Sequence, residues 1–150
     1  GVVAGREMLN GFRRKFRYFN TFGGNPVSSA VALAVLDVIR DEGLVENAAR
    51  MGARMRAGLE KLAEKHEIIG DVRGAGLFFG CELVLDRATK APAADLAQKV
   101  VDEMRHAGVL IGKLGINGNV TKMRPPMPFN EEQGELLLAT LDSVPQKVAG

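Results

Sequence analysis

The residues best suited to chemistry in this chain are the run Thr21, Phe22, Gly23, Gly24, Asn25 and Pro26. The two glycines permit backbone angles that other residues avoid, so Thr21 can sit on a tight, exposed turn. Asn25 can cap a helix, and Pro26 suits the first helical position, where its missing N–H costs nothing. A hydroxyl offered together with free backbone amides at a helix start is a seat for an anion. A second concentration of charge lies at Lys122 and Arg124, where a basic strand end meets Pro125 and Pro126. Elsewhere the reactive inventory is thin. No His-x-x-x-His, Cys-x-x-Cys or Gly-x-Ser-x-Gly spacing occurs. His66 and His106 fall at polar helix ends and read as solvent-facing, and Cys81 reads as a small buried hydrophobe in a strand. Glu131 and Glu132 lie at a helix start, where they suit the dipole. From the residues alone, the chain offers an anion-binding turn and a basic strand end, and no self-sufficient catalyst.

Composition narrows the classes. The chain has 150 residues, enough for about one ordinary domain. It is 46% hydrophobic and 25% charged, as soluble globular proteins are. A net charge of +2 is too small to argue for nucleic acid. The basic run Arg13, Arg14, Lys15 and Arg17, interleaved with Phe16, Tyr18 and Phe19, therefore reads as a solvated face with aromatic anchors. A single cysteine excludes an internal disulfide and any multi-cysteine metal site. No apolar run reaches the roughly 18–20 residues of a membrane span, because Asp37 breaks the longest one. Without a secretory signal, a reducing, cytoplasmic setting is expected. The first residue is Gly1 and not Met, so the chain reads as a piece of something longer.

The elements that must position these groups follow from periodicity. A brief helix is expected over Arg6 to Phe12. Val27, Ala30, Val31, Ala34, Val35 and Val38 recur at helical spacing, and Leu33, Leu36 and Ile39 fill the remaining circumference, so this helix must be covered on several sides. Left without its neighbours, it should pair with a second copy. Glu42-Gly43 stops it. A second helix over Leu44 to His66 turns Leu44, Ala48, Met51, Met55, Leu59 and Leu62 inward. Asp71 to Gly76 reads as a glycine-bearing approach to a strand, Leu77 to Val84, whose faces alternate. Gly74-x-Gly76 leads into a strand and not a helix, which rejects a dinucleotide-binding reading. There follow a polar loop over Asp86 to Pro92, a helix over Ala93 to Ala107, a short strand at Val109 to Ile111 and another strand at Val120 to Arg124. A last helix is capped by Asn130 and Gln133 and stops near Pro145. The expected fold class is α+β: two long N-terminal helices, then a small mixed or antiparallel sheet with helices on one face.

The same stretches carry a family resemblance. Thr21-Phe22-Gly23-Gly24-Asn25-Pro26 ahead of an Ala/Val/Leu-rich helix resembles the late signature of the class III, fold-type I aminotransferases. Val72-Arg73-Gly74-Ala75-Gly76-Leu77 resembles that family's entry to its small-domain strand. Gly108-Val109-Leu110 resembles its turn and strand, and Lys122-Met123-Arg124-Pro125-Pro126 resembles its closing segment. The four occur in the family's order and span essentially the whole chain.

The resemblance implies an enzyme dependent on pyridoxal 5'-phosphate (PLP), moving an amino group between an amine or amino acid and a keto acid. Some members are phospho-lyases instead. It implies that Thr21 binds the cofactor phosphate, with Phe22 and Gly23 shaping the turn, and that the cofactor is shared across a homodimer interface. It also implies an arginine for the substrate carboxylate three residues before the first proline. That position is Lys122 here, a point charge without the guanidinium fork. Either Arg124, directly before Pro125, takes over near the substrate entrance, or it forms a buried strand-end ion pair and the carboxylate contact is weakened. The family's Schiff-base lysine lies upstream of the threonine turn and has no counterpart here, so residues 1–41 would end a large domain, 42–150 would form the C-terminal small domain, and the piece would be inactive alone. The other readings of the residues are a stand-alone anion-binding or regulatory module and a basic nucleic-acid binder.

Overall fold

In the computed structural model, which describes residues 2–148, the elements are α1 (Arg6–Lys15), α2 (Pro26–Asp41), α3 (Leu44–Lys65), β1 (Ile69–Ala75), β2 (Phe78–Asp86), β3 (Ala91–Pro92), α4 (Ala94–His106), β4 (Gly112–Leu114), β5 (Val120–Met123) and α5 (Glu131–Val148). The chain divides into two compact units, Gly1–Asp37 and Val38–Gly150. The α+β class holds: every strand pairing is antiparallel, in the order β1-β2-β5-β4, with β3 on the end of β2.

The second unit is a sheet with one covered face. Phe79, Cys81 and Leu83 of β2 and Thr121 and Met123 of β5 are buried, while their neighbours Phe78, Gly80, Glu82 and Lys122 are not. That is the alternation expected when helices cover one side only. Met51, Met55, Leu59 and Leu62 of α3, Ala97, Val100 and Met104 of α4, and Leu137, Leu141 and Val144 of α5 complete the core. The expected inward residues of α3 are thus the observed ones, apart from the half-buried Ala48. The reciprocal cap at Asn130 is present. Asn130 Oδ1 accepts from the Gln133 amide at 3.0 Å, and Gln133 Oε1 accepts from the Asn130 amide at 3.1 Å. Gly108, with φ of 85°, ends α4 as expected.

Four expectations need correction. The approach before Gly76 is itself a strand, β1, whose register runs Val72 to Cys81 and Arg73 to Gly80. Glycines and an Asp–Arg pair disguised it; the exposed strand face has no hydrophobic alternation to show. The strand expected at Val109 to Ile111 lies instead at Gly112–Leu114. The Val109 amide is drawn back to the Met104 carbonyl at 2.9 Å, so those residues finish the α4 terminus. Part of the polar loop, Ala91–Pro92, pairs with β2. And α5 runs through Pro145 to Val148. Proline deletes its own donor, but packing of Leu141 and Val144 keeps the turn helical.

His66 is a fifth correction, because its side chain is 9% exposed and not solvent-facing. Its Nε2 lies 2.6 Å from Asp142 Oδ1, and Lys65 Nζ donates to Asp142 Oδ2 at 2.7 Å. The partner is 76 residues away in sequence, beyond the reach of any local pattern. Lys65 first, then His66, hold the Asp142 carboxyl below the usual carboxylate range. A depressed carboxylate contributes stability in full above about pH 4, and that contribution is lost as pH falls through the depressed value. Since Asp142 is one-third exposed, solvent screening limits the effect. Asp142→Asn is expected to cost about 1 kcal/mol at pH 7 and to approach no cost near pH 2. Urea unfolding at the two pH values checks this.

Candidate functional site

The first unit is a relay from α1 to the Thr21 turn. Gly5 precedes α1, and Arg13, Arg14 and Lys15 occupy its last turn, where cations oppose the helix dipole favourably. The helix extends to Lys15, beyond the expected end at Phe12. Past it, the chain folds back on its aromatic residues. The Phe12 and Phe16 ring centroids are 5.2 Å apart, and Tyr18 stands edge-on to Phe12 at 6.1 Å. The Tyr18 hydroxyl then accepts from Asn20 Nδ2 at 3.0 Å. Beyond the turn, Asn25 Oδ1 caps α2 by accepting from the Ser28 amide at 3.1 Å, and Pro26 opens the helix, both as expected.

Thr21, Phe22 and Gly23 are exposed, and Gly24 has φ of 75°, the backbone freedom that the motif's glycines suggest. The Thr21 hydroxyl has no hydrogen-bond partner among the described residues. Two amides of the turn are not free, however. Asn20 Oδ1 accepts from the Phe22 amide at 3.0 Å and from the Gly23 amide at 3.1 Å. The expectation of free amides is therefore corrected at Phe22 and Gly23, while the Thr21 hydroxyl stays open. Asn20 is the residue that sequence reasoning overlooked, although an Asn two and three residues ahead of turn amides is a recognisable turn former.

A phosphate fits this turn electrostatically. The unit holding it carries five basic residues against two acidic ones, and no carboxylate occurs between Met8 and Leu36. A donor hydroxyl in such surroundings suits a dianion. One hydroxyl does not complete a cofactor site, and the nearest lysine, Lys15, ends α1 as an exposed side chain. Nothing in α2 is buried in the single chain, and Val27, Leu33 and Leu36 are all more than 60% exposed.

Lys122 and Arg124 are not brought to one place. Lys122 lies mid-sheet in a cross-strand row with Arg73, Gly80 and Gly112. Its side chain reaches over Gly112, where an added Cβ would stand 3.3 Å from Lys122 Cε. It lines a groove of about 510 Å³ on the uncovered sheet face, with Phe78, Gly80 and Val120. Arg124 lines a separate groove of about 380 Å³, with Pro125, Pro126 and Leu136. Neither has a carboxylate within ion-pair distance among the described residues. Arg73, by contrast, is matched by Asp71 at 3.2 Å and by Glu82.

The remaining reactive group is structural. Cys81 is 1% exposed, and burial pushes its thiol up to about 12, so it stays protonated and inert at neutral pH. Among the described residues there is no cluster of potential metal ligands, and no helix is long and apolar enough to cross a membrane.

Known proteins share this sequence pattern and fold. The family model for class-III aminotransferases matches residues 3–144. The chain is 47% identical over 142 residues to alanine–glyoxylate aminotransferase 2 homolog 2, mitochondrial, of Arabidopsis thaliana, covering 95% of this chain and 30% of that protein. A phospholyase from Arthrobacter, solved in complex with phosphoethanolamine, superposes with a TM-score of 0.86 at 41% identity, over 94% of this chain and 33% of that one. An amine transaminase from an uncultivated Pseudomonas species, in its PLP-bound form, gives a TM-score of 0.81 at 33% identity, over 92% of this chain and 31% of that one. The chain thus spans about a third of the length of these proteins. It belongs to the class-III aminotransferase family.

Proposed function

We propose that this chain supplies the C-terminal part of a PLP-dependent aminotransferase that moves an amino group between an amine or amino acid and a keto acid. The observation that carries this is the Thr21 turn: an exposed hydroxyl, without a partner among the described residues, ahead of a capped helix in a positively charged unit. When bound, PLP supplies the electron sink for the chemistry. The chain's own part is to bind and orient. Thr21 donates to the cofactor phosphate, and Phe22 and Gly23 shape the turn that aims it. Residues 1–41 are read as the end of the large domain and 42–150 as the small domain.

The apolar surface of α2 supports a homodimer in which the turn serves the cofactor of the other subunit. Lys122 and Arg124, which have no carboxylate partner among the described residues, are candidates for the substrate carboxylate, with Arg124 at the entrance. A cytoplasmic location belongs to the same proposal. The reactive lysine and the rest of the cofactor site are read as lying outside these 150 residues. Equilibrium dialysis tests this. The 150-residue chain is expected to retain no PLP at micromolar concentration, while the full-length enzyme retains about one per subunit. A chain that binds stoichiometrically on its own, or a full-length protein that binds none, contradicts the reading.

The Arthrobacter relative supports a second chemistry, elimination of phosphate from an amino-alcohol phosphate. The fold serves either reaction. Assay of the full-length enzyme with phosphoethanolamine, against an amine and keto-acid pair, separates them.

A further inference from the structure

The Thr21 turn is built by a side chain outside the glycine motif itself. Asn20 Oδ1 accepts two backbone amides, those of Phe22 at 3.0 Å and Gly23 at 3.1 Å. Asn20 Nδ2 donates to the Tyr18 hydroxyl at 3.0 Å, and Tyr18 is braced edge-on against Phe12 of α1. Gly23 leaves room for this carboxamide: an added Cβ there would stand 3.1 Å from Asn20 Nδ2 and 3.2 Å from its Cγ. Two amide bonds, a phenol bond and a gap left by glycine converge on one side chain.

We infer that Asn20 is the positioning residue of the phosphate seat: its carboxamide oxygen closes the turn by occupying the Phe22 and Gly23 amides, so that an anion at the turn meets the Thr21 hydroxyl and not these two amides. This rests on the reading of Thr21 as the phosphate contact. The chemical consequence is selectivity. Open amides at a turn form a nest that takes small oxyanions of many kinds. With the Phe22 and Gly23 amides satisfied the seat is narrower, its one side-chain donor is the Thr21 hydroxyl, and it binds well only when the rest of the cofactor is held elsewhere. The brace through Tyr18 ties the direction of that donor to α1.

The test is amide hydrogen exchange and phosphate titration by NMR on the full 150-residue chain, comparing wild type, Asn20→Ala, Asn20→Asp and Thr21→Val. Asn20→Ala removes the acceptor and is expected to raise exchange at Phe22 and Gly23 about fivefold, the loss of one ordinary hydrogen bond. Amides of β2 and β5, in the other unit, should be unchanged, which controls for folding. Asn20→Asp keeps an acceptor oxygen, and exchange should remain slow. Inorganic phosphate should leave the Phe22 and Gly23 amide protons in place in wild type and shift them in Asn20→Ala, where the nest is reopened; a purely structural role would not produce that exchange of partners. Unchanged exchange in Asn20→Ala, or phosphate-induced shifts of these amides in the wild type, would overturn the inference. Thr21→Val separates the two claims. It should leave exchange at both amides slow, and a Thr21→Val full-length enzyme with undiminished PLP affinity would sink the Thr21 reading while leaving the Asn20 result standing.

Discussion

Thr21→Val in the full-length enzyme is expected to raise the dissociation constant for PLP by about 10- to 100-fold. Valine matches threonine in shape and lacks only the hydroxyl, so the turn and the α2 cap, which Asn20 and Asn25 make, stay in place. What is lost is one hydrogen bond to a charged phosphate, worth about 1.5–3 kcal/mol, and each 1.4 kcal/mol is tenfold in affinity. The hydroxyl has no partner among the described residues, so its removal leaves none of them unsatisfied, and the effect falls on binding. Thr21→Ser keeps the donor and should bind within a few-fold of wild type. Titration of the apoenzyme with PLP, followed by fluorescence quenching, checks both. An unchanged dissociation constant in the valine variant contradicts the assignment.

The second large effect concerns stability. Gly52, in the middle of α3, faces the β1–β2 turn so closely that an added Cβ would stand 2.3 Å from the Gly76 carbonyl oxygen and 2.6 Å from its Cα. These are backbone atoms of a tight turn in which Gly76 has φ of 53°. They cannot rotate away, so the helix or the hairpin must shift. Gly52→Ala is expected to cost about 3 kcal/mol in chemical denaturation. Gly58, two turns further along the same helix, is the control. There the added Cβ meets the end of the Leu138 side chain, at 2.4 Å from Cδ1. That side chain can change rotamer, and alanine regains about 1 kcal/mol of helix propensity. Gly58→Ala should stay within about 1 kcal/mol of wild type. Equal costs at the two positions would contradict the claim that α3 docks on the hairpin through a backbone contact.

What the sequence made legible is what local chemistry determines. The apolar stripe of α3, the cap at Asn130, the stop at Gly108 and the alternation of β2 are each written within a few residues, and each stands where expected. The motif from Thr21 to Pro26 gave an exposed turn and a capped helix for the same reason. What escaped was decided by partners far along the chain or by side chains filling roles that the backbone leaves open. β1 is a strand because β2 pairs with it, not because its own residues alternate. His66 is drawn inward by Asp142 of α5, and α5 ignores Pro145 because its neighbours are packed. Asn20 took two of the amides that the glycine pattern leaves open. The separation of Lys122 from Arg124 follows from the strand ending between them, at Met123. Two residues apart in sequence, they line different grooves.

The most direct measurement is a structure of the full-length enzyme with PLP bound. The Thr21 hydroxyl oxygen should lie within about 3 Å of a cofactor phosphate oxygen, with the cofactor held by the other subunit and the Asn20 carboxamide still on the Phe22 and Gly23 amides. A structure in which the Thr21 turn lies away from every subunit contact, with the phosphate held entirely by other residues, would contradict it.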